Sequence, residues 1–234
     1  MKGKFLRKER VGLICCTCII GACLWQTAIR GKTAQVMLPV ERKTIVLDAG
    51  HGGWDPGKTG STQYADEKDL NLAVVEKLQH YLEQGGATVL LTRNTDDALG
   101  GGKREDMAQR KKIANEYDGD ILVSIHQNAF PSPKVKGAQV FYHQNSPKAK
   151  ALAESVQESL RQRVDESNGR QAKENKEYYI LRATEIPAII VECGFLSNRE
   201  EEALLNDSDY QDKLAWAVYC GILEYFTEQT GEQA

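Results

Sequence analysis

The chain has 234 residues, 30 of them basic and 33 acidic, which gives a formal net charge of −3. That length suffices for one domain with a hydrophobic core and a short appendage. The first ten residues alone carry a net charge of +4, so subtracting them from −3 leaves −7 for the rest. A domain with that charge and no basic stripe is not expected to bind nucleic acid.

The basic N-terminus is followed by an uncharged, apolar stretch over residues 11–29. A basic region beside an apolar segment of about this length is typical of a signal peptide or a membrane anchor. No small-x-small cleavage site follows it, and Ile-Gly-Ala-Cys at residues 20–23 resembles a lipoprotein cleavage motif only loosely. We therefore expect residues 1–30 to be an uncleaved anchor that holds the rest outside the cytoplasm; cleavage would instead give a secreted protein.

Residues 31–43 are predicted to form a linker, and residues 44–228 a single folded domain. Within that domain, short runs rich in Ile and Val alternate with amphipathic stretches. The pattern predicts strands over residues 44–50, 87–92, 120–125, 138–142 and 186–192, and helices over residues 67–84, 104–117, 147–166, 199–205 and 208–228. This alternation is typical of an α/β fold whose mostly parallel central sheet is flanked by helices.

Three of the predicted strands end at a residue type that binds metal or transfers protons. His51 follows the first strand, His126 the third and Glu192 the last. In an open α/β sheet the ligand crevice lies at the carboxyl ends of the strands, so these side chains are expected to converge. Glu67, which opens the helix after a glycine-rich loop, is expected to point back toward the same crevice.

Two imidazoles and a carboxylate match a catalytic zinc site, which leaves a fourth position for water. We therefore expect His51, Glu67 and His126 to bind zinc. Glu192 ends the most apolar strand, where an ionised carboxylate is costly unless it is paired or lies near a metal. Its expected role is that of a general base, which takes a proton from the attacking water and returns it to the leaving nitrogen.

Other interpretations of these residues remain open. A histidine after a strand often packs locally, and a glutamate in a first helical turn is favoured by the helix dipole. His143, which follows the fourth predicted strand, is an alternative third ligand. Cys193 and Cys220 lie in apolar contexts and are expected to be inert core residues. Ser124 and His126 cannot form a catalytic triad alone, because no nucleophile elbow accompanies them.

Six sequence segments together form a recognisable pattern. They are Leu47-Asp48-Ala49-Gly50-His51-Gly52-Gly53, Glu67-Lys68 with Asn71-Leu72, Thr92-Arg93, Arg110 with Ala114-Asn115, Ser124-Ile125-His126 with Asn128, and Val191-Glu192 with Gly194-Phe195-Leu196-Ser197-Asn198. By these segments, which stand in the family's order, the chain resembles the zinc-dependent N-acetylmuramoyl-L-alanine amidases of type 3 over about residues 44–226. Two small departures from that pattern are Gln127, where alanine is common, and Cys193, where a larger apolar residue is usual.

The resemblance implies the same zinc ligands and the same catalytic glutamate as the reading of the strand ends. It also implies that the substrate is peptidoglycan, cleaved at the amide between the lactyl group of N-acetylmuramic acid and L-alanine. Asn128 and Arg182 match positions near the family's cleft, which implies contact with substrate. No long insertion could block the cleft, so regulation is expected from outside the domain, for example by a protein activator.

The layout of one membrane segment and one short domain is similar to that of the germination-specific amidases of spore-forming bacteria. This similarity implies a role in spore cortex maturation, a place in the spore envelope, and a partner deacetylase that acts on the product. Two other functions stay open. The domain could bind peptidoglycan or a partner protein with little turnover, or it could be another zinc hydrolase of peptidoglycan, such as a deacetylase or a peptidase.

Overall fold

One six-stranded sheet organises the computed structural model, which describes residues 37–60 and 64–231. Its strands lie in the order β2-β1-β3-β6-β4-β5. The first four of these are mutually parallel, whereas β4 runs antiparallel to β6 and parallel to β5. The strands are β1 (Thr44–Ala49), β2 (Thr88–Leu91), β3 (Ile121–Asn128), β4 (Gln139–Tyr142), β5 (Lys173–Glu174) and β6 (Ala188–Phe195).

Helices cover both faces of the sheet, as expected for strands that are apolar on both sides. They are α1 (Glu67–Gln84), α2 (Lys103–Glu116), α3 (Pro147–Arg163), α4 (Tyr179–Ala183), α5 (Arg199–Leu205) and α6 (Ser208–Gly231). Ile45 and Val123 belong to the core shared with α1, α3 and α6, while Val46 and Leu122 face the core shared with α2 and α4. The α/β architecture predicted from the sequence is therefore confirmed.

The start of α1 is built against the loop that precedes it. Asp66 stands at the N-cap position, but its side chain accepts a hydrogen bond from the Gly60 amide (3.1 Å) and caps none of the helix's own amides. The Glu67 amide donates to the Lys58 carbonyl at 3.0 Å. The first turn of α1 is thus fixed to the glycine-rich loop, which brings Glu67 next to the end of β1.

The structure differs from the predicted elements in β3, β6 and β5. β3 and β6 continue beyond His126 and Glu192, so these residues lie inside strands, and the pairing register shifts between His126 and Asn128. β5 falls within a stretch predicted to be loop. It has only two residues, both exposed, so the sequence has no alternation of apolar and polar residues there that would predict a strand.

No helix among the described residues is both long enough and apolar enough to cross a membrane. The segment predicted to be an anchor, residues 1–30, lies outside the described residues, as do residues 31–36 of the predicted linker. The strands and helices above all belong to one compact unit that begins at Leu38.

Candidate active site

The three predicted metal ligands meet at the carboxyl ends of β1 and β3. Their ligand atoms all lie within 4.8 Å of one another. Glu67 Oε1 is 3.2 Å from His51 Nε2 and 3.0 Å from His126 Nδ1. The two imidazole rings lie edge to face, with centroids 5.0 Å apart. Two nitrogens and one carboxylate oxygen therefore converge, which is a donor set that suits zinc.

The charge state of Glu67 also suits a cation. The side chain is buried, which opposes ionisation, but hydrogen bonds with His126 and His51 hold the pKa of its carboxyl far below the usual range. Burial acts against the charged form of His51 too, yet the hydrogen bond with Glu67 leaves the pKa of that imidazole raised. The carboxyl of Glu67 is therefore ionised between the two imidazoles, and a carboxyl group must be ionised to bind a metal cation.

Asp55 orients His51. Its Oδ2 lies 2.9 Å from His51 Nδ1, which leaves Nε2 on the side of Glu67. A carboxylate on the second nitrogen of a ligating histidine fixes the tautomer and the ring orientation in many metal sites. No role for Asp55 was predicted from the sequence, although it is the only acidic residue in the loop over residues 50–60.

Two glycines make room for the ligands. A Cβ on Gly50 would lie 2.2 Å from ring atoms of His126. Gly57 has a φ of +69°, and a Cβ there would lie 2.6 Å from Glu67 Oε2 and 2.7 Å from His51 Cδ2. Because real Cβ atoms do not approach other atoms this closely, a side chain at either position would displace a ligand.

Glu192 lies beside the ligand cluster on β6, where it is paired in register with His126. Its side chain is 8% exposed, and Oε2 has no hydrogen-bond partner among the described residues. Burial raises the pKa of this carboxyl to about 7. A carboxyl that titrates near neutrality can both accept and return a proton, which is what a general base and acid must do.

The predicted ligands His51 and His126 and the predicted base Glu192 line one open cavity of 350 Å³. All three lie on the side of the sheet. Side chains from α2 and from α4 with its preceding turn form the walls, among them Lys103, Met107, Tyr178 and Tyr179. The cavity is therefore accessible to a substrate, and the residues that line it and are predicted to be catalytic or to bind metal are gathered on one wall.

A buried ionic network, which was not predicted from the sequence, lies next to the cavity. Asp48 accepts hydrogen bonds from Arg110 Nη1 (2.7 Å), Thr92 Oγ1 (2.7 Å) and Ser124 Oγ. Although burial opposes ionisation, Arg110 and these bonds lower the pKa of Asp48 to about 2. Arg110 also donates to the His51 carbonyl, so the network reaches the loop that carries a ligand.

The two predicted substrate contacts lie elsewhere in the described structure, and neither lines the cavity that contains Glu192. Asn128 ends β3 and accepts a hydrogen bond from the Ala129 amide at 2.9 Å. Arg182 is exposed on α4 and lines a separate cavity of 230 Å³ together with His143. His143, the alternative third ligand, is thus away from the cluster of His51, Glu67 and His126.

This chain is similar to known amidases in sequence and in structure. A family model described as N-acetylmuramoyl-L-alanine amidase matches residues 45–224. The chain is 40% identical over 200 residues to a germination-specific N-acetylmuramoyl-L-alanine amidase of Bacillus subtilis (strain 168), covering 82% of this chain and 83% of that protein. It is also 36% identical over 191 residues to the probable cell wall amidase LytH of Staphylococcus aureus, but spans only 60% of that protein's length and covers 81% of its own.

A solved structure is similar over almost its whole length. It is the CwlD amidase from Clostridioides difficile in complex with the GerS lipoprotein. The alignment has a TM-score of 0.77 and 42% sequence identity, and it covers 80% of this chain and 99% of that one.

Proposed function

We propose that this chain, which belongs to the N-acetylmuramoyl-L-alanine amidase family, holds a zinc ion with His51, Glu67 and His126. One observation carries the proposal: three ligand atoms within 4.8 Å of one another, beside a buried carboxyl oxygen of Glu192 that has no partner in the described structure. When bound, zinc would act as a Lewis acid that lowers the pKa of water and polarises an amide carbonyl.

The enzyme is a peptidoglycan amidase: it hydrolyses the amide between the lactyl group of N-acetylmuramic acid and the L-alanine of the stem peptide. In the reaction we propose, Glu192 takes a proton from the attacking water as the new C–O bond forms. The same carboxyl then gives that proton to the L-alanine nitrogen as the C–N bond breaks. Its pKa of about 7 allows both steps at neutral pH.

Asn128 and Arg182 are proposed as contacts with parts of the substrate that extend beyond the cavity. Peptidoglycan is a polymer, whereas the cavity holds only 350 Å³, so most of a bound strand must lie on the surface around it. Arg182 offers an exposed guanidinium there, a group suited to carboxylates of a stem peptide.

The proposed layout places this domain outside the cytoplasm. Residues 1–30 would anchor the protein in the membrane, residues 31–43 would form a linker, and residues 44–228 would form the catalytic domain. The basic N-terminal residues would stay inside, as in other positively flanked membrane segments.

We further propose that the enzyme acts in maturation of the spore cortex, which prepares the spore for germination. Support comes from the similarity to a germination-specific amidase and to an amidase solved with a lipoprotein. By that similarity, a lipoprotein is the kind of activator that we expect, and a deacetylase would act next on the glycan that the amidase leaves.

The decisive experiment is mass spectrometry of peptidoglycan fragments after incubation with the full chain, with and without added zinc. We expect zinc-dependent release of peptides that begin with L-alanine, abolished by Glu192→Gln. The matched control is Glu224→Gln, which alters a surface carboxylate paired with Arg163 and should release the same peptides as wild type. Release of acetate would indicate a deacetylase and cut stem peptides a peptidase, while a folded, zinc-loaded protein without products would indicate a binding module.

A further inference from the structure

Two residues of the matching sequence segments, Asn71 and Arg93, have no part in the chemistry proposed above, yet both are buried beside it. Asn71 is fully buried on α1, and Arg93 is 4% exposed after β2. Both donate to the same acceptor, the carbonyl oxygen of Gly50: Asn71 Nδ2 at 3.0 Å and Arg93 Nη2 at 3.1 Å. Gly50 immediately precedes His51, so this carbonyl lies at the root of a proposed ligand.

The same two side chains reach the neighbours of the other ligands. Arg93 Nη2 also donates to the carbonyl of Lys68, which follows Glu67, at 2.7 Å. Asn71 Oδ1 accepts a hydrogen bond from Gln127 Nε2, next to His126, at 3.2 Å. The main-chain N–H of Gln127 in turn donates a hydrogen bond to Glu67 Oε1 at 3.1 Å.

Arg93 has an unusual set of partners for a buried cation. Among the described residues, its hydrogen bonds all go to main-chain carbonyl oxygens, those of Ala49, Gly50, Lys68 and Thr95. Burial and the nearby Arg110 lower the pKa of its guanidinium. A buried cation that forms no hydrogen bond to a carboxylate is a costly way to stabilise a fold, whereas a rigid planar fork is well suited to fix several carbonyls at set distances.

We infer that Asn71 and Arg93 are positioning residues: by converging on the Gly50 carbonyl they set the spacing of His51, Glu67 and His126 for metal binding. The inference rests on the proposed function, because it takes these three residues as the ligands. Groups one shell away from metal ligands commonly change metal affinity 10–100-fold when they are removed.

The test compares Zn²⁺ affinity in the full chain, measured by competition with a chromophoric chelator. Asn71→Leu removes the amide at nearly constant volume, and Arg93→Lys keeps the charge but loses the fork. The matched control is Gln157→Leu. Gln157 is another buried helical amide, which bonds to Val140 (2.9 Å) and Ala138 (3.2 Å) away from the ligands.

We expect Asn71→Leu and Arg93→Lys to weaken Zn²⁺ binding 10–100-fold and to change the absorption spectrum of the Co²⁺-substituted protein, which reports ligand geometry. Gln157→Leu should change neither, even if it lowers the melting temperature as much. Folded variants that bind Zn²⁺ as tightly as wild type would overturn the inference. Loss of the fold in both variants would also overturn it, because the residues would then serve general stability. If wild type binds no zinc, the proposed function itself fails.

Discussion

Replacing Glu192 by glutamine should stabilise the metal-free protein and slow the reaction of the zinc-loaded enzyme. The carboxyl is 8% exposed, and one of its oxygens has no partner in the described structure. Burial raises its pKa from the ordinary 4.5 to about 7. Since a difference of one pH unit corresponds to ~1.4 kcal/mol, keeping this group ionised costs the fold about 3 kcal/mol.

The pH dependence of this cost has a definite sign. Below pH 4.5 the carboxyl is protonated in both folded and unfolded protein, so the cost is absent. As the pH rises from 4.5 to about 7, the unfolded chain releases its proton while the folded protein retains it. The free energy of unfolding of wild type should therefore fall through this range relative to Glu192→Gln, and the difference should stay constant above it.

The measurement is urea denaturation of both proteins between pH 4 and 8, with a chelator present to exclude metal. Burying the glutamine amide changes the free energy of unfolding of the variant by the same amount at every pH. The test is therefore how the difference in free energy of unfolding between the two proteins changes with pH. Glu224→Gln, which removes a surface carboxylate, is the control variant. A difference between wild type and Glu192→Gln that does not change with pH would refute the argument that this carboxyl is destabilised by burial. In the amidase assay the variant should be slower by about 10²–10⁴-fold, the usual contribution of a general base.

Three further changes test other parts of the site. Asp55→Ala should weaken Zn²⁺ binding 10–100-fold in a chelator competition, because His51 loses the carboxylate on its Nδ1. Gly57→Ala should lower the free energy of unfolding by ~1–3 kcal/mol in urea, because the new Cβ at positive φ would lie 2.6 Å from Glu67 Oε2; an unchanged midpoint would mean that the loop relaxes. Arg110→Met should lower the free energy of unfolding, measured in urea, by ~3–5 kcal/mol, because it leaves the Asp48 carboxylate buried without its cation. In wild type, the stability that ionised Asp48 provides should be lost in acid titrations as the pH falls from 3.8 to about 2.

The sequence determined five of the six strands and five of the six helices in the described structure, and it predicted the meeting of the side chains proposed for catalysis. Periods of hydrophobicity are local, so α1 could be placed at residues 67–84, where it begins and ends in the structure. The strand-end rule needed no coordinates either: β1, β3 and β6 are parallel neighbours, so His51, His126 and Glu192 had to share one rim.

Only the tertiary structure decided how these groups are supported and oriented. The bond from Asn71 to Gly50 joins residues 21 apart, and the bond from Arg110 to His51 joins residues 59 apart. No local pattern states which carbonyl a distant side chain will reach, and a glycine in a sequence does not reveal that an imidazole packs against it. For the same reason the substrate contacts inferred from resemblance could not be placed: Arg182 lies on a short helix whose position depends on packing against α2 and the sheet. Hydrophobic period and strand direction determine where a residue lies in the fold. The long-range packing of polar groups determines which atoms its side chain contacts.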